Sequence, residues 1–141
     1  MKPIEVAKET AFSYIGVPYK WGGDDPMAGF DCSGFCIEIL QSAGELPIKG
    51  DWTAAGLYEY FKDKEVATPS EGCLVLFCGI NTIPYHVEFC LDDCFSIGAS
   101  AGDHTTVTVQ DAITQNAYVK IRPIRRGNAI LKFVNPFKEV I

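Results

Sequence analysis

Cys32 follows Asp31 at the point where a loop gives way to a helical pattern, and that placement makes it a candidate nucleophile. Phe35, Cys36, Ile39 and Leu40 recur at helical spacing, Gly44 stands where a helix would stop, and Asp31 has the side chain of an N-cap. Cys32 then falls in the first turn, where free backbone N–H groups and the positive dipole end favour a thiolate over a thiol. A thiolate nucleophile also needs a base within hydrogen-bond reach. The chain has two histidines, His86 and His104. His86 lies early in Tyr85-His86-Val87-Glu88-Phe89-Cys90-Leu91, which reads as a strand with His86, Glu88 and Cys90 on one face. Such a pair would carry out acyl transfer. The imidazole holds the thiolate as an ion pair and then protonates the leaving amine.

A third polar group should orient the imidazole through its other nitrogen. His104, in a loop that could fold back, is the residue carried forward, with Asp103, Ser100, a backbone carbonyl or a water as alternatives. Glu88 could touch the site and raise the imidazole pKa, but it reads first as a solvated residue at a sheet edge. Asp24 and Asp25 read as solvated turn residues, since calcium would need more oxygen ligands than this short run supplies. The other cysteines, Cys36, Cys73, Cys78, Cys90 and Cys94, are read as small side chains in apolar contexts and as reduced thiols. No pair has C-x-x-C spacing and histidines are few, so no structural zinc and no other metal or cofactor is expected.

The elements that must position these groups can be read in order. Pro3 to Ile15 is an amphipathic opening helix with Ile4, Ala7, Ala11 and Phe12 on one stripe. A loop crowded with Gly22, Gly23, Pro26 and Gly29 leads into the Cys32 helix. Asp51 could cap a second short helix from about Trp52 to Phe61. The period then moves towards two. Cys73–Cys78 is a near-continuous apolar run fit for a central strand; 85–91 and 94–98 form a hairpin about Asp92-Asp93. Val107–Val109, 119–124 and 130–134 complete the expected strands, with a loop or short helix around 111–117. Helices first and strands afterwards indicate an α+β fold, N-terminal helices packed on a central antiparallel sheet.

Val17-Pro18-Tyr19-Lys20-Trp21-Gly22-Gly23, followed by Gly29-Phe30-Asp31-Cys32-Ser33-Gly34-Phe35, resembles the signature of the NlpC/P60 cysteine peptidases. The resemblance runs from about residue 10 to 125 and is strongest at 17–35. It implies a papain-like fold and hydrolysis of peptide bonds near D-glutamate in the stem peptides of bacterial cell-wall peptidoglycan. It places Cys32 as nucleophile and His86 as base. Tyr19 falls near the oxyanion region, and Asp31 and Ser33 match positions able to bind a free substrate amine. Trp21 joins them along the substrate site, though its size suits a wall of packing at least as well. The sequence departs from the family at three points. Cys73 stands where aspartate is usual, Glu88 where glycine is usual, and Gly98 where the histidine, asparagine or glutamine that orients the base is usual.

Length suits one domain spanning 1–141. A net charge of −6 with no long basic run argues against a nucleic-acid partner. No apolar stretch reaches membrane-spanning length, and the N-terminus has no apolar segment of a signal peptide. A chain of this kind acting on cell wall would be a phage-type lysin made in the cytoplasm and released to the wall, a phage tail component, or part of a longer protein. Gly98 favours a second reading, a catalytically weakened binding or assembly module on the same fold. A cytosolic thiol acyltransferase or deamidase would use the same dyad.

Overall fold

A computed structural model describes residues 1–48 and 52–139. Among these residues the chain forms four α-helices and a six-stranded antiparallel sheet, an α+β fold with three of the helices before the main strands. The first helix, α1, is Pro3–Ser13, with Pro3 at its start and Ala7 and Ala11 buried. A two-residue hairpin follows, β1 (Asp24–Asp25) paired with β2 (Gly29–Phe30), inside the glycine-rich stretch expected to be loop throughout. Asp24 and Asp25 are exposed, as expected of solvated residues, but they form the strand β1 and the turn follows them.

The helix α2, Cys32–Ser42, buries Phe35, Cys36, Ile39 and Leu40, the stripe that predicted it. The short helix α3 is Ala54–Tyr60, capped by Thr53, whose hydroxyl accepts from the Gly56 N–H at 3.0 Å. Asp51, the cap expected from sequence, lies outside the described residues. A 3₁₀ turn (Lys62–Lys64) then leads into a strand the sequence gave no sign of, β3 (Glu65–Val66), too short to show a period.

The remaining strands are β4 (Leu74–Cys78), β5 (Pro84–Cys90), β6 (Phe95–Ser100), β7 (Tyr118–Pro123) and β8 (Ile130–Val134), in the sheet order β3-β8-β4-β5-β6-β7. Every residue of β4 is buried. Its Leu74, Leu76 and Cys78 join the main core with Val87, Phe89 and Ile97, while Val75 and Phe77 join a second cluster with Cys90 and Phe133. Apolar side chains on both faces are the physical reason its sequence lacks alternation.

One expected strand is absent. Val107–Val109 is not extended; Thr108 caps a helix, α4 (Val109–Gln115). The Thr108 hydroxyl accepts from the Asp111 N–H at 3.1 Å, and the Asp111 carboxylate accepts from the Thr108 N–H at 3.0 Å. This reciprocal capping box outweighs the β-branched residues that suggested a strand. No helix among the described residues is long and apolar enough to cross a membrane.

Candidate active site

Cys32 is the first residue of α2. The Asp31 carboxylate accepts from the Gly34 N–H at 2.7 Å and from the Ser33 hydroxyl at 3.3 Å, fixing the helix start around the thiol. The loop in front is tied down by its own backbone. The Asp31 N–H donates to Gly23 O at 2.9 Å, Lys20 N–H to Phe30 O at 2.9 Å, and Trp21 N–H to Thr106 O at 2.8 Å. A Cβ on Gly34 would collide with the Gly23 carbonyl, so loop and helix meet closely enough to require glycine there.

His86 enters from β5, opposite Phe77 of β4, and its ring packs at 5.3 Å from the Phe77 ring. Cys32 lines the same cleft as the imidazole and is one of the two groups that raise its pKa. The ring is held by Glu88: His86 Nε2 donates to Glu88 Oε2 at 2.8 Å, which leaves Nδ1 as the nitrogen free to act as base. Burial alone would lower the His86 pKa, but the interactions with Cys32 and Glu88 outweigh it and raise it to about 9.

Glu88 corrects the reading of a solvated edge residue, because it is 0% exposed. Its carboxylate accepts from the Ser96 hydroxyl at 2.7 Å, from the Ser100 hydroxyl, and from Arg126 Nη2 at 2.7 Å. Burial would raise its pKa; the His86 hydrogen bond and charge, with Arg126 and Ser100, pull it down to about 2. A fully buried carboxylate is tolerable only with this number of donors. Sequence signals for it existed: one acidic residue among Val87, Phe89 and Cys90 in a buried strand, and glycine at position 98.

His104 does not take the orienting place. It is exposed on the loop after β6, and its ring lies edge-on to Trp21 at 6.2 Å, while Nε2 of His86 is held by Glu88. Loop geometry, which sequence spacing does not fix, decided this. Among the alternatives, Ser100 reaches Glu88, and Asp103 turns inward on itself to accept from the Thr105 N–H at 2.8 Å and hydroxyl at 2.6 Å.

The dyad opens into a cleft of about 780 Å³ lined by Tyr19, Trp21, Asp31, Cys32, Ser33 and His86 among others. Trp21 is 55% exposed on its wall, so it is not the buried packing residue its size suggested. Tyr19 is buried, and a Cβ on Gly102 would strike its ring. Burial, then the negative charges of Cys32, Asp31 and Asp103, hold the Tyr19 phenol well above its ordinary pKa, so it remains a hydrogen-bond donor. On the Glu88 side of the imidazole the cleft is lined by Arg122 and Arg126. Arg126 is bound to Glu88 and to Pro123 O, whereas the Arg122 side chain makes no hydrogen bond or ion pair among the described residues. Cys36, Cys73, Cys78 and Cys90 are buried away from this cleft; Cys94 is exposed in the β5–β6 turn.

Comparison with known proteins agrees with this geometry. The NlpC/P60 family model matches residues 16–123. A probable peptidoglycan endopeptidase, LytE of Bacillus subtilis, is 32% identical over 115 residues, 79% of this chain and 30% of its own length. The dipeptidyl-peptidase 6 of Lysinibacillus sphaericus is 34% identical over 67% of this chain and 31% of its own length, so the chain spans about a third of these relatives. Among solved structures, the NlpC/p60 domain of the peptidoglycan hydrolase SagA superposes with TM-score 0.68 at 27% identity, covering 92% of this chain and 96% of that one. RipD of Mycobacterium tuberculosis, a non-catalytic NlpC/p60 domain protein adapted to peptidoglycan binding, shares the fold with TM-score 0.69 at 17% identity, covering 96% of this chain and 98% of that one. Family model, relatives and fold converge: this chain belongs to the NlpC/P60 family.

Proposed function

We propose that residues 1–141 form one catalytic domain, a cysteine peptidase that hydrolyses peptide bonds of peptidoglycan stem peptides next to D-glutamate. The observation that carries this reading is that Cys32, at the start of α2, and His86, held by Glu88, line one open cleft, with Cys32 near enough to raise the imidazole pKa. The Cys32 thiolate attacks the scissile carbonyl carbon, forming a C–S bond and an oxyanion. The Cys32 N–H and the Tyr19 hydroxyl are the donors for that oxyanion. The imidazolium of His86 gives its proton to the amine as the C–N bond breaks, leaving an acyl-enzyme. A water then loses a proton to His86 and attacks the same carbon, the C–S bond breaks, and the acid is released. No metal or other cofactor is required by these steps.

The charges lining the cleft fit a substrate with both an amine and a carboxylate. Asp31 and Asp103 act on Tyr19, on the side where a free amine would be held by Asp31 and Ser33. Arg122 is the free guanidinium on the other side, and it takes the carboxylate of the D-glutamate residue. The experiment is digestion of purified muropeptides, with products identified by mass spectrometry, for the native chain, Cys32→Ala and His86→Ala. Hydrolysis beside D-glutamate that falls at least about a thousandfold in both variants supports the reading. Binding of the fragments with no cleavage by the native chain rejects it and places the chain beside non-catalytic relatives such as RipD.

A further inference from the structure

The imidazole of the candidate base is held from an unexpected direction. Strands β5 and β6 pair Phe89 with Ile97, which sets Glu88 across from Gly98. A Cβ built on Gly98 would lie 2.5 Å from Glu88 Cγ and 2.9 Å from Cδ. Real Cβ atoms do not approach that closely inside a packed sheet, so no side chain at 98 can coexist with Glu88 as placed. Glu88 fills the space in front of Gly98 and delivers its carboxylate to His86 Nε2 at 2.8 Å.

We propose that Glu88 is the positioning residue for His86, reaching it from the base's own strand, and that position 98 is glycine because the Glu88 side chain occupies the room a residue there would need. Arg126 is the second half of the device. Its Nη2 donates to Glu88 Oε2 at 2.7 Å, its Nη1 to Pro123 O at 2.6 Å, and its guanidinium lies 4.7 Å from the Phe77 ring centre, which in turn packs on His86. Ser96 and Ser100 of β6 donate from either side of the glycine. The result is an alternating row, His86, Glu88, Arg126, in which the carboxylate meets a cationic partner on either side. A carboxylate on Nε2 fixes the tautomer that leaves Nδ1 free to act as base, and it stabilises the imidazolium that the first step consumes.

This inference rests on Cys32 and His86 being the reacting pair, and its test needs no substrate. The groups facing the imidazole are Cys32 from α2, Glu88 on its own strand and, through Glu88, Arg126 with Arg122 and Lys120 of β7. Ring-nitrogen NMR on the native chain should show Nε2 protonated throughout, with His86 titrating near 9. In Glu88→Gln that titration should fall towards the ordinary 6.5, and Cys32 alkylation by iodoacetamide, followed by peptide mass spectrometry, should lose its high-pH limb at the same place. Gly98→Ala should do the same by displacing Glu88. The decisive variant is the exchange Glu88→Gly with Gly98→Glu, which returns a carboxylate to Nε2 from the opposite strand and should restore the titration that Glu88→Gly alone abolishes. A native His86 that titrates as an ordinary imidazole, or one unmoved in Glu88→Gln, overturns the proposal without any folded double variant. Failure to cut muropeptides alongside these shifts would remove the substrate reading and leave the positioning role standing. Cleavage with kcat, KM and pH profile all unchanged in Glu88→Gln would do the reverse.

Discussion

At the scale of single residues, the cleft divides into groups that react, groups that hold them and groups that meet a ligand. On the function proposed above, Cys32 and His86 are the first, Asp31 and Glu88 the second, and Arg122 the clearest of the third. Arg122 lines the cleft with its guanidinium uncommitted, while its neighbour Arg126 is bound to Glu88 and Pro123 O. A charged hydrogen bond of this kind contributes about 1.5–3 kcal/mol when made in a cleft. Arg122→Ala is therefore expected to raise KM for a peptide with a free D-glutamate carboxylate by roughly ten- to a hundredfold, with kcat little changed. The same peptide with that carboxylate amidated should bind native and variant chains alike. Equal KM values for native and variant on the acidic peptide would remove Arg122 from the site.

At the scale of elements, α2 and the loop before it behave as one unit. Asp31 caps the helix by accepting from Gly34 N–H, and the Asp31 N–H reaches back to Gly23 O. Asp31→Ala should cost about 1 kcal/mol of stability through loss of the cap. It should also reduce Cys32 chemistry further than that loss explains, because the helix start carries the nucleophile. Gly34→Ala is the harsher change, since its Cβ meets the Gly23 carbonyl and backbone on both sides would have to move. Denaturant midpoints and Cys32 alkylation rates on the two variants check both statements; Gly34→Ala as stable as the native chain would show that loop and helix are not locked. The strand β5 is a second such unit. Its alternation places Val87 and Phe89 in the main core and His86 and Glu88 in the site, so one strand serves packing and chemistry through its two faces.

At the scale of the whole molecule, the buried charges couple the site to folding stability. His86 has a folded pKa of about 9 against an ordinary 6.5, so its contribution is complete below 6.5 and is lost as pH rises through 9. Glu88 has a folded pKa of about 2 against 4.5, so its contribution is complete above 4.5 and is lost as pH falls through 2. Thermal midpoints should therefore form a plateau between about pH 4.5 and 6.5 and fall on either side. Glu88→Gln should lower the plateau and flatten the fall between 6.5 and 9. A native midpoint that stays level from pH 6.5 to 9 would contradict the charge pairing between His86 and its neighbours.

Much of the architecture was legible because local signals agree with the fold. The α2 stripe, its Asp31 cap, the all-apolar β4 and the alternating β5 are each written in residue periods that survive burial. Cys32 could be singled out among the chain's cysteines because Asp31 and the following helix give it a setting the others lack. What the chain order could not supply was proximity. Glu88 reads as an edge carboxylate until β6 pairs beside β5 and brings Ser96, Gly98 and Ser100 against it. Arg126, 38 residues further on, completes its partners only because β7 ends next to β6. His104 lies closer to the expected position in sequence, yet its loop carries it to Trp21. Periodicity and capping act over three or four residues, so sequence alone determined the main helices and strands and singled out Cys32. Desolvation, charge pairing and steric room act between strands, and only the tertiary structure decided which group meets the His86 ring.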